Sequence, residues 1–224
     1  MRIVLRIGGS VVASPINPNL IADYAKLLNS LVAQGHEVAV VVGGGNLARQ
    51  FIGVAKELGL SEEAQDEIAI SVSRLFAFVL LKKLGQIAST TVPVTIEEAK
   101  RYLQDGKIVV MGGLKPGMTT DAVAALIVDS TNADLMVKAT DQDGVYDKDP
   151  RKHPDAAKLD RMSFQDLFKV LSEHKHKAGI HQIIDPEAAK ILAQGNTKVV
   201  VVNGFKPENI LMAVRGKCNG TLIG

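Results

Sequence analysis

The sequence predicts a three-layer α/β sandwich with a mainly parallel central sheet. Three observations carry that expectation: short apolar runs that are nearly continuous rather than alternating, helix-period segments between them, and glycine-rich turns where the runs end. The runs are RIVLRI from Arg2, EVAVVV from Glu37, KIVVMG from Lys107, DLMVKA from Asp134 and KVVVVN from Lys198. A strand that is apolar at successive positions must be buried on both faces, so helices have to cover the sheet from above and below.

The elements follow in order. The first run opens the chain and ends at Gly8, Gly9 and Ser10. Residues 18–34 form a helix, with Leu20, Ile21, Tyr24, Leu27, Leu28 and Leu31 at three-to-four spacing and Gly35 as the stop. The second run leads through Gly43, Gly44 and Gly45 into another helix. Ser61, followed by Glu62 and Glu63, starts a long helix that ends near Gly85. Its stretch IAISVSRLFAFVLL is apolar beyond what one buried stripe needs, which points to contacts between subunits. Phe76 and Phe78 within it are expected in the core or at such an interface. Thr95 and Glu98 form a capping box. The third run is followed by Gly112 and Gly113, then by Gly117, Thr119 and Thr120 ahead of a helix. Residues 141–162 are polar, with one glycine and two prolines, and read as an ordered functional loop. Asp185 and Pro186 open a helix that Gly195 ends. The chain is expected to be a single domain over 1–224, with an N-terminal part to about residue 135, a C-terminal part from about 136, and a sheet running across both.

Composition narrows the function. At 224 residues and 46% hydrophobic, the chain can bury a full core. Its 26 basic and 24 acidic residues leave a net charge of +2, so there is no bulk electrostatic case for nucleic acid or an acidic membrane surface. Cys218 is the single cysteine, which excludes an internal disulfide and fits a reducing cytosol. The N-terminal apolar run is interrupted by Arg6 and reads as a strand rather than a targeting signal. A cytoplasmic protein is expected. His174, His176 and His181 read as a solvated loop in preference to a metal site.

The glycine turns carry the chemistry. Gly43, Gly45 and Ala48 fit G-x-G-x-x-A, so the second turn alone is compatible with a dinucleotide, with ATP or with a structural bend. Three such turns at the carboxyl ends of strands converge on the edge where open α/β sheets bind ligands. Glycine lets backbone N–H groups approach an anion, and a following helix adds partial positive charge. Three turns suit more phosphates than one dinucleotide offers. A Walker A loop is absent. Residues 138–150, KATDQDGVYDKDP, gather Asp141, Asp143, Asp147 and Asp149. An EF-hand reading fails because the glutamate required at its twelfth position is missing. A nucleotide-binding loop fits better.

Taken together, GGS, VVGGGNLAR, TTDAVAA and KATDQDGVYDKDP resemble the amino acid kinase superfamily over essentially the whole chain. Order and spacing are similar to its uridylate kinases, of the archaeal type above all, with GGGNLAR, Asp66 and PGMTTDAVAA as the distinguishing pieces. The resemblance implies that Gly9, Ser10, Gly45 and Arg49 line the ATP phosphates, and that Thr140, Tyr146 and Asp149 hold its adenosine. It implies that Gly44 faces the UMP phosphate and Asp66 the UMP ribose. The acceptor would be wrapped by the segment from Leu114 through Lys115, Pro116, Gly117 and Met118 to Thr119 and Thr120. Lys138 and Arg6 would stabilise charge on the transferring group, with Asp121 orienting them. Mg²⁺ would arrive with ATP, with no dedicated protein cage. A homohexamer built as a trimer of dimers is implied as well. Many superfamily members carry lysine at the position of Arg6, which leaves two roles open for it: catalysis, or an ion pair with a nearby carboxylate.

Three alternatives stay open on sequence. One is another kinase of the superfamily, acting on a carboxylate, a carbamate or isopentenyl phosphate. A second is a non-catalytic nucleotide-binding or storage protein on the same scaffold. The weakest is a NAD-binding Rossmann protein.

Overall fold

The computed structural model describes residues 1–13, 15–173 and 184–224, so His174, His176 and His181 lie outside the described residues. The elements run β1 (Arg2–Ile7), α1 (Gly9–Val12), α2 (Pro18–Ala33), β2 (Glu37–Val42), α3 (Gly45–Glu57), α4 (Glu62–Leu84), α5 (Ile96–Gln104), β3 (Val109–Met111), α6 (Thr120–Thr131) and β4 (Leu135–Thr140). They continue with β5 (Val145–Tyr146), β6 (Lys158–Leu159), β7 (Arg161–Met162), α7 (Phe164–Glu173), α8 (Pro186–Gln194), β8 (Lys198–Asn203), α9 (Glu208–Val214) and β9 (Gly220–Ile223). Among the described residues the main sheet has seven strands in the order β3-β2-β1-β4-β8-β9-β7. From β3 to β8 the pairing is parallel, and β9 runs antiparallel to β8. The expected three-layer α/β sandwich with a mainly parallel sheet is thus the observed architecture.

Helix ends follow local chemistry. Asn17 caps α2 by accepting from the Leu20 N–H, and Pro18 takes the first helical position. Ser61 caps α4 through the Ala64 N–H, and the helix stops at Gly85, whose φ is +68°. Thr95 caps α5 by accepting from the Glu98 N–H at 3.1 Å. The return half of the capping box is displaced: Glu98 accepts from the Val94 N–H at 2.8 Å, one residue ahead of the cap.

The pleat sorts the sheet residues into two cores. Ile3, Leu5, Val38, Val40, Val137 and Val200 face α2 and α4. Val4, Ala39, Val41, Met136, Val199 and Val201 face α5, α6 and α8. Because the runs are apolar at nearly every position, both faces are dry, and the period-2 geometry alone decides which residue meets which layer. Phe76 is buried in the first core, whereas Phe78 is 43% exposed with the Lys82 ammonium 4.9 Å from its ring centre. Phe51 and Val54 on α3, Leu58 just past its end, and Leu75 and Val79 on α4 are exposed as well. The first turn is more compact than an open loop: Gly9 begins the single helical turn α1.

The two N-terminal glycine turns interlock. A Cβ on Gly9 would lie 2.0 Å from the Gly45 nitrogen, and one on Gly45 would lie 2.2 Å from the Gly9 carbonyl oxygen. Gly45 also sits at φ +60°, which a side chain disfavours. These glycines are therefore required by each other before any ligand is considered. Gly9→Ala is expected to cost about 3 kcal/mol through overpacking against rigid backbone, a fall of about 6–12 °C in melting temperature. Gly53, inside α3 with open space around its Cβ position, provides the opposite case. Gly53→Ala is expected to stabilise by about 0.5–1 kcal/mol. Thermal unfolding of both variants checks the pair, and a Gly9→Ala protein that melts with the wild type would contradict the interlock.

Candidate active site

The carboxyl ends of β1, β2, β3, β4 and β8 share one edge, and the turns leaving them continue the ladder. Gly8 N–H donates to the Ala139 carbonyl at 2.8 Å, Gly43 N–H to Ile7 at 3.0 Å, and Gly204 N–H to Thr140 at 2.7 Å. Beside this edge lies a cleft of about 680 Å³. Of the residues expected from sequence, it is lined by Arg6, Ser10, Arg49, Thr119, Asp121, Lys138 and Thr140. Gln142, Arg151 and Asp185 line it too, and sequence reasoning had not singled them out as ligand-facing.

The charged centre of the cleft is built by register. In the parallel β1–β4 pair, Arg6 and Lys138 are direct partners, so their side chains leave the same face of the sheet side by side. That face is covered by α6, whose first turn presents Asp121 between them. Lys138 Nζ lies 2.5 Å from Asp121 Oδ2, and Arg6 Nε lies 2.7 Å from Oδ1. The lysine contact is a hydrogen bond, whereas the arginine contact is an attraction of charges without hydrogen-bond alignment. Arg6 Nη2 donates instead to Thr120 Oγ1 at 2.9 Å. The Asp185 N–H at the start of α8 approaches Asp121 Oδ2 at 3.3 Å. Arg6 thus forms the ion pair with a nearby carboxylate, and it also lines the cleft.

Burial shapes the charges here. Burial by itself would raise the Asp121 carboxyl, but Arg6 and then Lys138 outweigh it and hold the group at about 2, below its ordinary 3.8. Burial pushes the Lys138 ammonium down, with Asp121 opposing and Arg6 reinforcing that shift. Two cations share one carboxylate, so the cluster carries a surplus positive charge aimed at the cleft.

The polar loop after β4 is held by its own carboxylates. Asp141 accepts from Arg151 at 2.6 Å, Asp143 from Asn203 at 2.9 Å, Asp147 from the Ala157 N–H at 2.8 Å and Asp149 from the Arg151 N–H at 3.0 Å. The Val145 N–H donates to the buried Thr221 hydroxyl at 2.8 Å, and Tyr146 pairs with Lys158 in the β5–β6 ribbon. Tyr146 and Asp149 thus stand in an ordered loop beside the cleft.

On the other side of the edge, the segment 113–117 is docked on α4. Asp66 Oδ2 accepts from the Gly117 N–H at 2.7 Å. Ser73 Oγ accepts from the Gly113 N–H at 2.8 Å, and Arg74 donates to the Gly113 and Leu114 carbonyls at 2.9 Å each. Leu114 and Met118 pack against the second core, while Lys115 is exposed and Pro116 half-buried. Gly44 also faces α4: a Cβ there would lie 2.6 Å from Ala48 Cβ and 3.4 Å from the Ala69 carbonyl. Ser73 and Arg74 escaped the sequence reading, since inside an apolar helix they look like incidental polar positions.

A model of the amino acid kinase family matches residues 1–203. A uridylate kinase of Methanocaldococcus jannaschii is 46% identical over 225 residues, spanning 100% of this chain and 99% of its own. The crystal structure of uridylate kinase from Archaeoglobus fulgidus superposes with a TM-score of 0.90 at 43% identity, with 100% of both chains covered. UMP kinase from Bacillus anthracis superposes with a TM-score of 0.83 at 23% identity, covering 100% of this chain and 95% of its own, a likeness of fold.

The Asp121 cluster yields a pH dependence. A carboxyl with a depressed folded-state pKa contributes stability that is present above its ordinary value and lost as pH falls toward the folded value. Asp121→Asn should destabilise the protein by about 3–5 kcal/mol near neutrality, because the buried Lys138 and the half-buried Arg6 lose their partner. The gap in unfolding free energy between wild type and variant should then shrink by about 2 kcal/mol between about pH 4 and about pH 2. Urea unfolding across that range measures it, and a gap that stays constant would refute the assignment.

Proposed function

The chain belongs to the amino acid kinase family, and we propose that it phosphorylates UMP to UDP with ATP as donor. The observation that carries the reading is the Arg6–Asp121–Lys138 cluster at the mouth of the glycine turns, in a chain whose full-length relatives are uridylate kinases. Phosphoryl transfer between nucleotides asks for positioning and neutralisation of charge more than for covalent chemistry. The acceptor phosphate of UMP is already an anionic nucleophile near neutral pH, so no strong base is required. The low pKa of Asp121 suits that demand: it stays ionised and aligns Arg6 and Lys138, which offset charge on the transferring group.

In this reading Gly9, Ser10, Gly45 and Arg49 meet the ATP phosphates, and Thr140, Tyr146 and Asp149 hold the adenosine end. Gly44, Asp66 and the segment from Leu114 to Thr120 take UMP. The acceptor falls to the part of the chain before about residue 135 and the adenosine end of ATP to the part after it. Mg²⁺ enters as part of the nucleotide substrate, since it keeps several of its waters and is bound through substrate phosphates rather than by a dedicated protein cage. The activity belongs to pyrimidine nucleotide biosynthesis in the cytoplasm. The exposed apolar residues of α3 and α4 support contacts between subunits, and the family resemblance extends this to a homohexamer built from dimers.

Purified protein with Mg·ATP, offered UMP, CMP, acetylglutamate and isopentenyl phosphate, should release ADP with UMP. No turnover with UMP would sink the reading, and no turnover with any acceptor would favour a storage or sensor protein. Asp66→Ala should raise the KM for UMP by about tenfold or more, the loss of one hydrogen bond to a charged group. Lys138→Ala should instead lower kcat by about a hundredfold or more. Equal effects of both on ATP affinity would contradict the division of roles.

A further inference from the structure

Arg74 lies in the middle of α4 with no part in the cleft lining. Yet it makes two side-chain hydrogen bonds to consecutive carbonyls of a segment about forty residues away in the chain, Nε to Gly113 and Nη2 to Leu114, both at 2.9 Å. An arginine fork matched to two successive backbone oxygens is a geometric device, since its planar donors fix both peptide planes at once. In a trans peptide the N–H points opposite to the carbonyl. Holding the Gly113 and Leu114 carbonyls against α4 therefore turns the Leu114 and Lys115 N–H groups away from it. Among the described residues neither of these N–H groups donates to a protein acceptor.

The rest of the segment is anchored to the same helix face. Asp66, Ile70, Ser73 and Arg74 follow the i, i+4, i+7, i+8 spacing of one stripe. Asp66 holds the Gly117 N–H and Ser73 the Gly113 N–H. Gly112 and Gly113 are seated so closely that a Cβ would meet the Arg74 nitrogen at 2.6 Å and the Ile70 side chain at 2.9 Å. The helix thus serves as a rail against which the segment takes one conformation, and Asp66 has one carboxylate oxygen committed to the segment.

We propose that Arg74 is a positioning residue for the acceptor: it turns the Leu114 and Lys115 amide donors outward to receive oxygen atoms of the bound nucleotide monophosphate. The proposal rests on the reading of residues 114–120 as the acceptor segment. It differs from the role of Asp66 in that Arg74 acts through the backbone and touches no substrate.

Arg74→Met keeps the stem and removes the donors, and Arg74→Lys restores a charge but not the fork. Steady-state kinetics should show the KM for UMP raised about tenfold in Arg74→Met, with the KM for ATP and kcat nearly unchanged, and a partial return in Arg74→Lys. Amide hydrogen exchange, read without substrate, should show Gly113, Gly117 and Met118 exchanging faster in Arg74→Met while the amides of β1 and β4 keep their protection. Parallel rises in both KM values with a lowered melting temperature would overturn the proposal, as would unchanged exchange in the segment. A wild-type protein inactive toward UMP would refute the proposed function, whereas the exchange measurement would still decide whether Arg74 holds the segment.

Discussion

Asp121 is the point at which the layers of this protein are pinned to one another. Its carboxylate meets Lys138 from β4 and Arg6 from β1, and it accepts from the Asp185 N–H at the start of α8. One side chain on α6 thereby joins two central strands and a second helix. A buried ion pair yields little net stability, because desolvation of the charges offsets most of their attraction. What the cluster secures is geometry. Two cations are held at adjacent positions of one sheet face, at the mouth of the turns, with a fixed surplus of positive charge.

The turns themselves obey a stricter constraint than ligand binding. Gly9 and Gly45 occupy each other's side-chain space, so the backbone after β1 and the backbone after β2 meet directly. This contact brings the start of α3 to the cleft edge together with the first strand. The segment before α6 is brought in by another route, through side chains of α4 that reach backbone groups. Three turns thus converge by two kinds of contact: backbone on backbone, and a helix face docked on a loop.

Most of the architecture was legible from the chain, because continuous apolar runs and capping residues depend only on near neighbours. Ser61, Thr95 and Asp185 each cap the helix they announce. Lys138 stood out because a charge at the end of an apolar run has no packing explanation, whereas Asp121 was singled out by the family resemblance, since an acid in the first turn of a helix is ordinary by itself. The adjacency of Arg6 and Lys138 was not legible, since it depends on which strands pair and in which register. Arg74 and Ser73 left no signal for a different reason. Their partners are backbone groups about forty residues distant, and backbone groups are the same at every position. Phe76 and Phe78 show the limit of periodicity: two residues apart on an apolar helix, one enters the core and the other does not.

The ends of the sheet carry a consequence of their own. The run from Lys107 supplies only three residues of ladder in β3, and β7 supplies two at the opposite margin. A margin so short offers an incoming strand almost no row of free amides and carbonyls to copy. The long, strongly apolar strands β1, β2, β4 and β8, which would template aggregation if they lay at a border, are all interior. The same sequence property that makes these strands good at filling two cores is thereby kept from recruiting foreign chains, and encounters between copies are left to the helical layers.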